Sequence, residues 1–413
     1  VTKPADANEV VMRALKSVSQ IRELPIKGEV TGRFIGRTEM ISRVKAQIRR
    51  EIPEKVLLAQ NELLFGLGTV SSSFDYEKSI LGLLETQLAG FYDPKEKTMY
   101  MAQDLVGIER DATLAHELVH ALQDQHYDLE KHIAFKEDTG DQQSAIHGLA
   151  EGDATSAMLD HVMASRGARA TDVSDDLISL QVRGSMEMSP ETANVPTILK
   201  RSVISPYVDG TLFVHWARRN GGWKAVDEIW KKPPITTEQM LHPEKLQARE
   251  PAESIPVPSP APKGPQDVIY KDIFGEQSVR LLFEEWMPRV AAINAAKDWG
   301  GDRIAVFRDG KQFAVAWHLR YDTEPAAEEG LRALARGVLR EKTDVSKEAA
   351  AKAAAKGQVC RLRADAGPFA VLRSGKDIAL VAGPYDRSST GSPRSTATCA
   401  SALKWAKAVA AQR

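Results

Sequence analysis

Between positions 251 and 265 the chain reads PAESIPVPSPAPKGP, six prolines with almost no large apolar side chain. Proline fixes φ and has no amide hydrogen, so neither a regular helix nor a central strand can run through this stretch. It is expected to be an extended linker. It divides the 413 residues into a helical domain at 1–250, a linker at 251–266 and a smaller α+β domain at 267–413. A chain of this length exceeds one ordinary core, which agrees with two units.

In the first unit, apolar residues recur at three and four in NEVVMRALKSVSQI and EMISRVKAQIRREI, and the first ninety residues are expected to be mainly helical. GFYDPKEKTMYMA places two strand-compatible segments around a turn and predicts a hairpin. Helices are expected from Asp111 to about Lys131, across SAIHGLAEGDATSAMLDHVMASRG to near Gly167, and over VDGTLFVHWARRN as far as Gly221 and Gly222, with GWKAVDEIWKK following. Trp216, Trp223 and Trp230 recur every seven residues, the mark of buried helical faces. Past the linker, GEQSVRLLFEEWM, EPAAEEGLRALARGVLREK, SKEAAAKAAAKG and ALKWAKAVAAQ predict helices, the third like a semi-rigid spacer. DRIAVFRDG and QFAVAWHLRYD, meeting at Asp309 and Gly310, then FAVLRSG and DIALVAG, predict strands.

Hydrophobic residues at 43% and charged residues at 27% are those of a globular chain that buries a core. The 55 basic and 56 acidic side chains nearly cancel, leaving no field to gather nucleic acid. No apolar run approaches the roughly 20 residues of a membrane span, and VTKPADANEV lacks a signal layout. The chain is expected to be either cytoplasmic or the product of removing a targeting segment. Its two cysteines, Cys360 and Cys399, exclude Cys-rich zinc patterns. They are read as a disulfide suited to an extracytoplasmic compartment, the alternative being two separate small hydrophobic residues.

The stretch TLAHELVHALQDQHYDL puts His116 and His120 one helical turn apart on one face, with Glu117 rotated about 100° away. Two imidazoles so placed can share a zinc ion, and the glutamate beside them can act as general base toward a water activated there. A catalytic zinc takes three protein ligands and leaves a fourth position open, so the motif needs another donor. The flanking Leu114, Ala115, Leu118, Val119, Ala121 and Leu122 bury this helix, and buried His and Glu need partners. A helix that merely carries these residues is the alternative. In HGLAEGDAT, Gly148, Gly152 and Ala154 clear bulk around Glu151, which is expected to let this second helix approach the first. His147 rivals Glu151 as the third ligand, and spacing does not choose between them.

HELVH followed by EGDA resembles the gluzincin class of zinc metallopeptidases, in which a glutamate on a second helix completes the site. LAGFYDP, TLAHELVHALQDQHYDL, LAEGDA, PYVDGTLFV, GGWKAVDEIW and PPITTEQMLHPEKL together are similar to a family of uncharacterised bacterial and archaeal extracytoplasmic proteins, classed as metallopeptidases and lipoproteins; the likeness covers about residues 80 to 250. It implies a mainly α zincin-like domain with a small β-hairpin or sheet, His116, His120 and Glu151 as zinc ligands, and Glu117 as general base. It also implies an oxyanion donor, for which Tyr207 and His242 are the candidates. Asp153 and Asp124 are weighed as acids that orient the ligand histidines, against a solvated surface role. Thirty residues separate His120 from Glu151, more than in thermolysin-like enzymes, and KEDTGDQQS is expected to form the extra loop. His126, His132 and His161 have no ligand spacing, and His215 and His318 lie in apolar stretches, where satisfied core histidines are commoner than ligands. The hairpin edge is expected to pair with an extended peptide substrate.

The implied protein is a zinc metallopeptidase acting on protein or peptide, secreted, periplasmic or envelope-associated. The competing readings are a zinc hydrolase of non-peptide amides and a non-catalytic envelope binding or scaffold protein stabilised by its metal.

Overall fold

The computed structural model describes residues 4–187, 195–339, 347–363, 367–387 and 393–413. The chain opens with α1 (Pro4–Arg22), β1 (Thr31–Ile35), α2 (Arg37–Glu51), α3 (Glu54–Gly66) and α4 (Tyr76–Gln87), then the hairpin β2 (Gly90–Asp93) and β3 (Thr98–Ala102). There follow α5 (Gly107–Tyr127), α6 (Leu129–Ile133), α7 (Gly140–Met163), α8 (Asp175–Glu187), α9 (Thr197–Lys231), α10 (Thr237–Leu241) and α11 (Pro243–Ala248). The C-terminal part holds β4 (Val268–Asp272), α12 (Gly275–Phe283), α13 (Arg289–Ala296), β5 (Trp299–Asp309), β6 (Gln312–Tyr321), α14 (Glu324–Leu339), α15 (Lys347–Ala354), β7 (Gln358–Arg363), β8 (Gly367–Ser374), β9 (Asp377–Asp386) and α16 (Cys399–Ala410). The expected mainly helical unit with a small sheet, followed by an α+β unit, is what the structure contains. Residues 340–346, expected to end one helix and begin the next, lie outside the described residues.

The small sheet has the order β1-β3-β2, with β1 parallel and β2 antiparallel to the buried central β3. Among the described residues β2 is therefore an edge strand, and α5 lies beside it. Helices α1, α5, α7 and α9 bury Leu15, Leu118, Leu122, Leu149, Phe213 and Trp230 in one core with Met99 and Met101 of β3. Asp128 at φ 57° ends α5, and Gly167 at φ 64° closes the 3-10 turn after α7, a left-handed residue being the usual stop. Helix α9 is bent at Gly221 and Gly222, where the sequence marked a break.

The second sheet is antiparallel, in the order β4-β5-β6-β9-β8-β7, and β5 turns into β6 through Gly310 at φ 53° as expected. One face packs against α12, α13 and α14, the other against α16. Cys360 and Cys399 form a disulfide that ties α16 to β7, with their Cα atoms 5.7 Å apart.

Residues 251–266 have no helix or strand, as an extended segment requires, and Ile255 and Ala261 within them are buried. The Trp405 indole donates to the Ser259 carbonyl at 2.8 Å, and the Gln412 side chain bonds Ser259 and Val257. Prolines excluded from a ladder still pack well as a strap along a helix. The two parts of the chain pack together, with Leu63, Leu64 and Phe65 of α3 in one core with the second sheet. The Arg363 guanidinium donates to the Phe65 and Gly66 carbonyls at 2.6 Å each, and the Phe65 ring meets Tyr385 edge-on at 5.3 Å.

Candidate metal centre

The i, i+4 spacing on α5 does what helical geometry requires. His116 and His120 project together, their ring centroids 5.0 Å apart, into the gap between α5 and α7. From α7, Glu151 closes the gap. Its Oε2 lies 3.0 Å from His116 Nε2 and 3.5 Å from His120 Nε2. The three donor groups all lie within 4.8 Å of one another and sit in the protein interior. Donors about 2.0–2.1 Å from a tetrahedral zinc stand about 3.3–3.5 Å from each other, and the two separations from Glu151 to the imidazoles lie close to that range.

The hydrogen bonding of His120 sharpens the fit. Gln123, one turn further along α5, donates its amide nitrogen to the Ala150 carbonyl at 3.0 Å and to Asp153 at 3.2 Å. Its amide orientation is thereby fixed, and Oε1 is left to accept from His120 Nδ1 at 2.9 Å. A neutral His120 then turns the lone pair of Nε2 toward the Glu151 carboxylate, lone pair against lone pair. The site calls for a cation between them, either a proton or a metal. In the metal-free protein it is the proton: burial opposes the charge, but the Glu151 carboxylate outweighs it and holds His120 at about 9. Burial likewise works against the charge of Glu151, and His120, with hydrogen bonds from His116, His120 and His147, keeps its carboxyl well below the usual range.

Glu117 stands on the adjoining face of α5, where its Oε2 accepts the Tyr92 amide of β2 at 3.1 Å. Burial raises its carboxyl, against the pull of His116 and His120, which makes it a stronger base than a solvated glutamate. Tyr207 stacks on His116 with centroids 5.7 Å apart. Burial, the Glu151 and Glu117 charges and a hydrogen bond to Glu151 push its phenol well above the ordinary tyrosine range. The proton stays on this hydroxyl near neutral pH.

His242 is not brought to the centre. Its Nε2 lies 2.8 Å from Glu276 and its Nδ1 3.8 Å from Glu244, at the start of α11. Tyr207 lies within α9, which begins at Thr197 and carries Pro206 inside it. Asp153 and Asp124 are both buried rather than solvated. Asp153 reaches His120 through Gln123, and is itself held by Arg22 of α1 at 2.5 Å and the Trp230 indole at 2.9 Å. Asp124 accepts from the Tyr92 hydroxyl at 2.9 Å and Lys97 at 2.5 Å. His147 lies 3.2 Å from Glu151 Oε1, at the exposed rim. The buried His215 and His318 stand apart from this group, the latter on Asp377 at 2.8 Å.

Gly152 opens space for α9 and Gly148 for Met240 of α10, rather than for α5. A methyl group at Gly152 would lie 2.1 Å from the Gly210 carbonyl oxygen, and one at Gly210 would lie 1.9 Å from that of Gly148. This crossing sets Tyr207 beside the ligands. KEDTGDQQS is only partly a loop, since α7 already begins at Gly140. The residues that the sequence did not single out are Gln123, Tyr92 and Arg22. A second group, Glu238, Glu250 and Asp322, also converges among the described residues, but Lys245 Nζ sits 2.7, 2.8 and 2.9 Å from those three carboxylates and supplies the cation.

Residues 266–390 match a family described as a domain of unknown function, DUF8575, a span under a third of the chain that contains none of the centre. No curated protein and no solved structure matches the chain. No described helix is long and apolar enough to cross a membrane.

Proposed function

We propose that this protein is a zinc-dependent metallopeptidase of the gluzincin type. The observation that carries the reading is the convergence of His116, His120 and Glu151 from two helices, with the buried Glu117 next to them on α5, close enough to feel their charges. Zinc held by those three residues would supply Lewis acidity toward a carbonyl and lower the pKa of a water to about 7.

The chain's own groups then divide the remaining work. Glu117 accepts the proton of the attacking water and delivers it to the leaving amine. Tyr207, which holds its proton, donates to the developing oxyanion. The edge strand β2 beside this base favours an extended peptide backbone over a small amide, since such an edge pairs with main-chain amides and carbonyls. The Cys360–Cys399 disulfide supports an oxidising, extracytoplasmic location, secreted, periplasmic or envelope-associated.

Glu117→Gln separates this reading from a metal that only stabilises a scaffold. The variant is expected to bind zinc as the wild type does and to lose at least a hundredfold in hydrolysis of an unstructured protein substrate. Retained hydrolysis in that variant contradicts the proposal.

A further inference from the structure

Glu151 uses its two oxygens for different partners. Oε2 faces both ligand imidazoles, at 3.0 and 3.5 Å, whereas Oε1 lies 3.2 Å from Nε2 of His147, one turn earlier on α7. His147 does not share the close grouping of His116, His120 and Glu151, and its side chain is 53% exposed. It is placed on the carboxylate from outside, on the oxygen that the other two histidines leave free.

A carboxylate can bind an ion through one oxygen or through both. Binding through both would add a fifth donor beside the water and crowd the position that a catalytic zinc keeps open for water and substrate. An N–H donor on Oε1 lowers the electron density of that oxygen and ties its lone pair to a fixed direction away from the ion. We infer that His147 is a positioning residue that holds Glu151 to single-oxygen coordination and so keeps the fourth coordination position free. The inference rests on the proposed metal reading. It also accounts for a histidine at the rim of the site that completes no ligand set of its own.

Cobalt(II) is the probe, because its visible absorption falls several-fold when coordination rises from four to five. The full chain, His147→Ala and His147→Gln are each loaded with one equivalent. The wild type and His147→Gln, which keeps an N–H donor at comparable reach, are expected to give the intense four-coordinate spectrum. His147→Ala is expected to lose most of that intensity while still holding the ion. Identical spectra for wild type and His147→Ala overturn the inference. So does a His147→Ala protein that no longer retains cobalt, since that marks His147 as a ligand. A wild type that takes up no cobalt overturns the metal reading itself, a result distinct from the other two.

Discussion

Gln123 carries no charge and stands three residues beyond His120, yet its amide joins that ligand to the buried Asp153 and, through it, to Arg22. A carboxylate in direct contact with His120 would add charge to the imidazole; the amide fixes the tautomer and ring direction instead. Gln123→Leu removes this constraint and leaves an amide-lined pocket partly unsatisfied. It is expected to weaken zinc binding by about 10- to 100-fold, measured by competition with a chromophoric chelator. Unchanged affinity would show that Gln123 does not orient the ligand. At this scale the sequence was informative where one helix supplied the constraint: the i, i+4 repeat defined the face of His116 and His120. Gln123 was not legible because its role depends on Ala150 and Asp153, which only the packing of α7 against α5 brings near. His242 illustrates the converse, a residue plausible by type whose partner, Glu276, comes from beyond the proline-rich segment.

Helices α7 and α9 touch backbone to backbone at Gly148, Gly152 and Gly210, and that contact decides how far Tyr207 stands from the ligands. Gly152→Ala forces its new methyl group against the Gly210 carbonyl, so the helices must separate. The expected cost is about 1–3 kcal/mol of stability in urea unfolding, with a fall in zinc affinity because Glu151 is the neighbouring residue. A variant as stable as the wild type would show that the crossing is loose. Long amphipathic or buried helices and the strong hairpins β5–β6 and β8–β9 were readable, since their periodicity and turns are local. Strands β1, β4 and β7 were not. β1 is five residues long and pairs in parallel with β3, more than sixty positions away, while β7 is rich in arginine and forms an edge. The start of α9 was missed because Pro206 reads as a boundary, although here the helix continues through it.

The two halves of the molecule are joined through buried acids as well as apolar contacts. Asp141, in the first turn of α7, accepts from the Thr237 amide at 2.9 Å and hydroxyl at 2.5 Å and lies against Gly275. Burial raises its carboxyl to about 7; the Thr237 hydrogen bonds pull the other way, and Asp302 and Glu276 add to the rise. The folded state therefore holds a proton that the unfolded chain releases near 3.8. This contribution to stability is full below the unfolded value, declines as pH rises, and is lost above about 7. Asp141→Asn has no charge to bury, so it should gain stability relative to the wild type between about pH 5 and about pH 8 in urea unfolding. A difference that stays constant over that range contradicts the assignment. Across the described residues, two groups of side chains gather around a central point, and the proposed metal belongs to only one of them. Anomalous scattering at the zinc edge, from crystals of the zinc-loaded protein, tests this directly. The expected result is a single peak about 2.0–2.2 Å from His116, His120 and Glu151. A peak among Glu238, Glu250 and Asp322, or none near the two histidines, would contradict it.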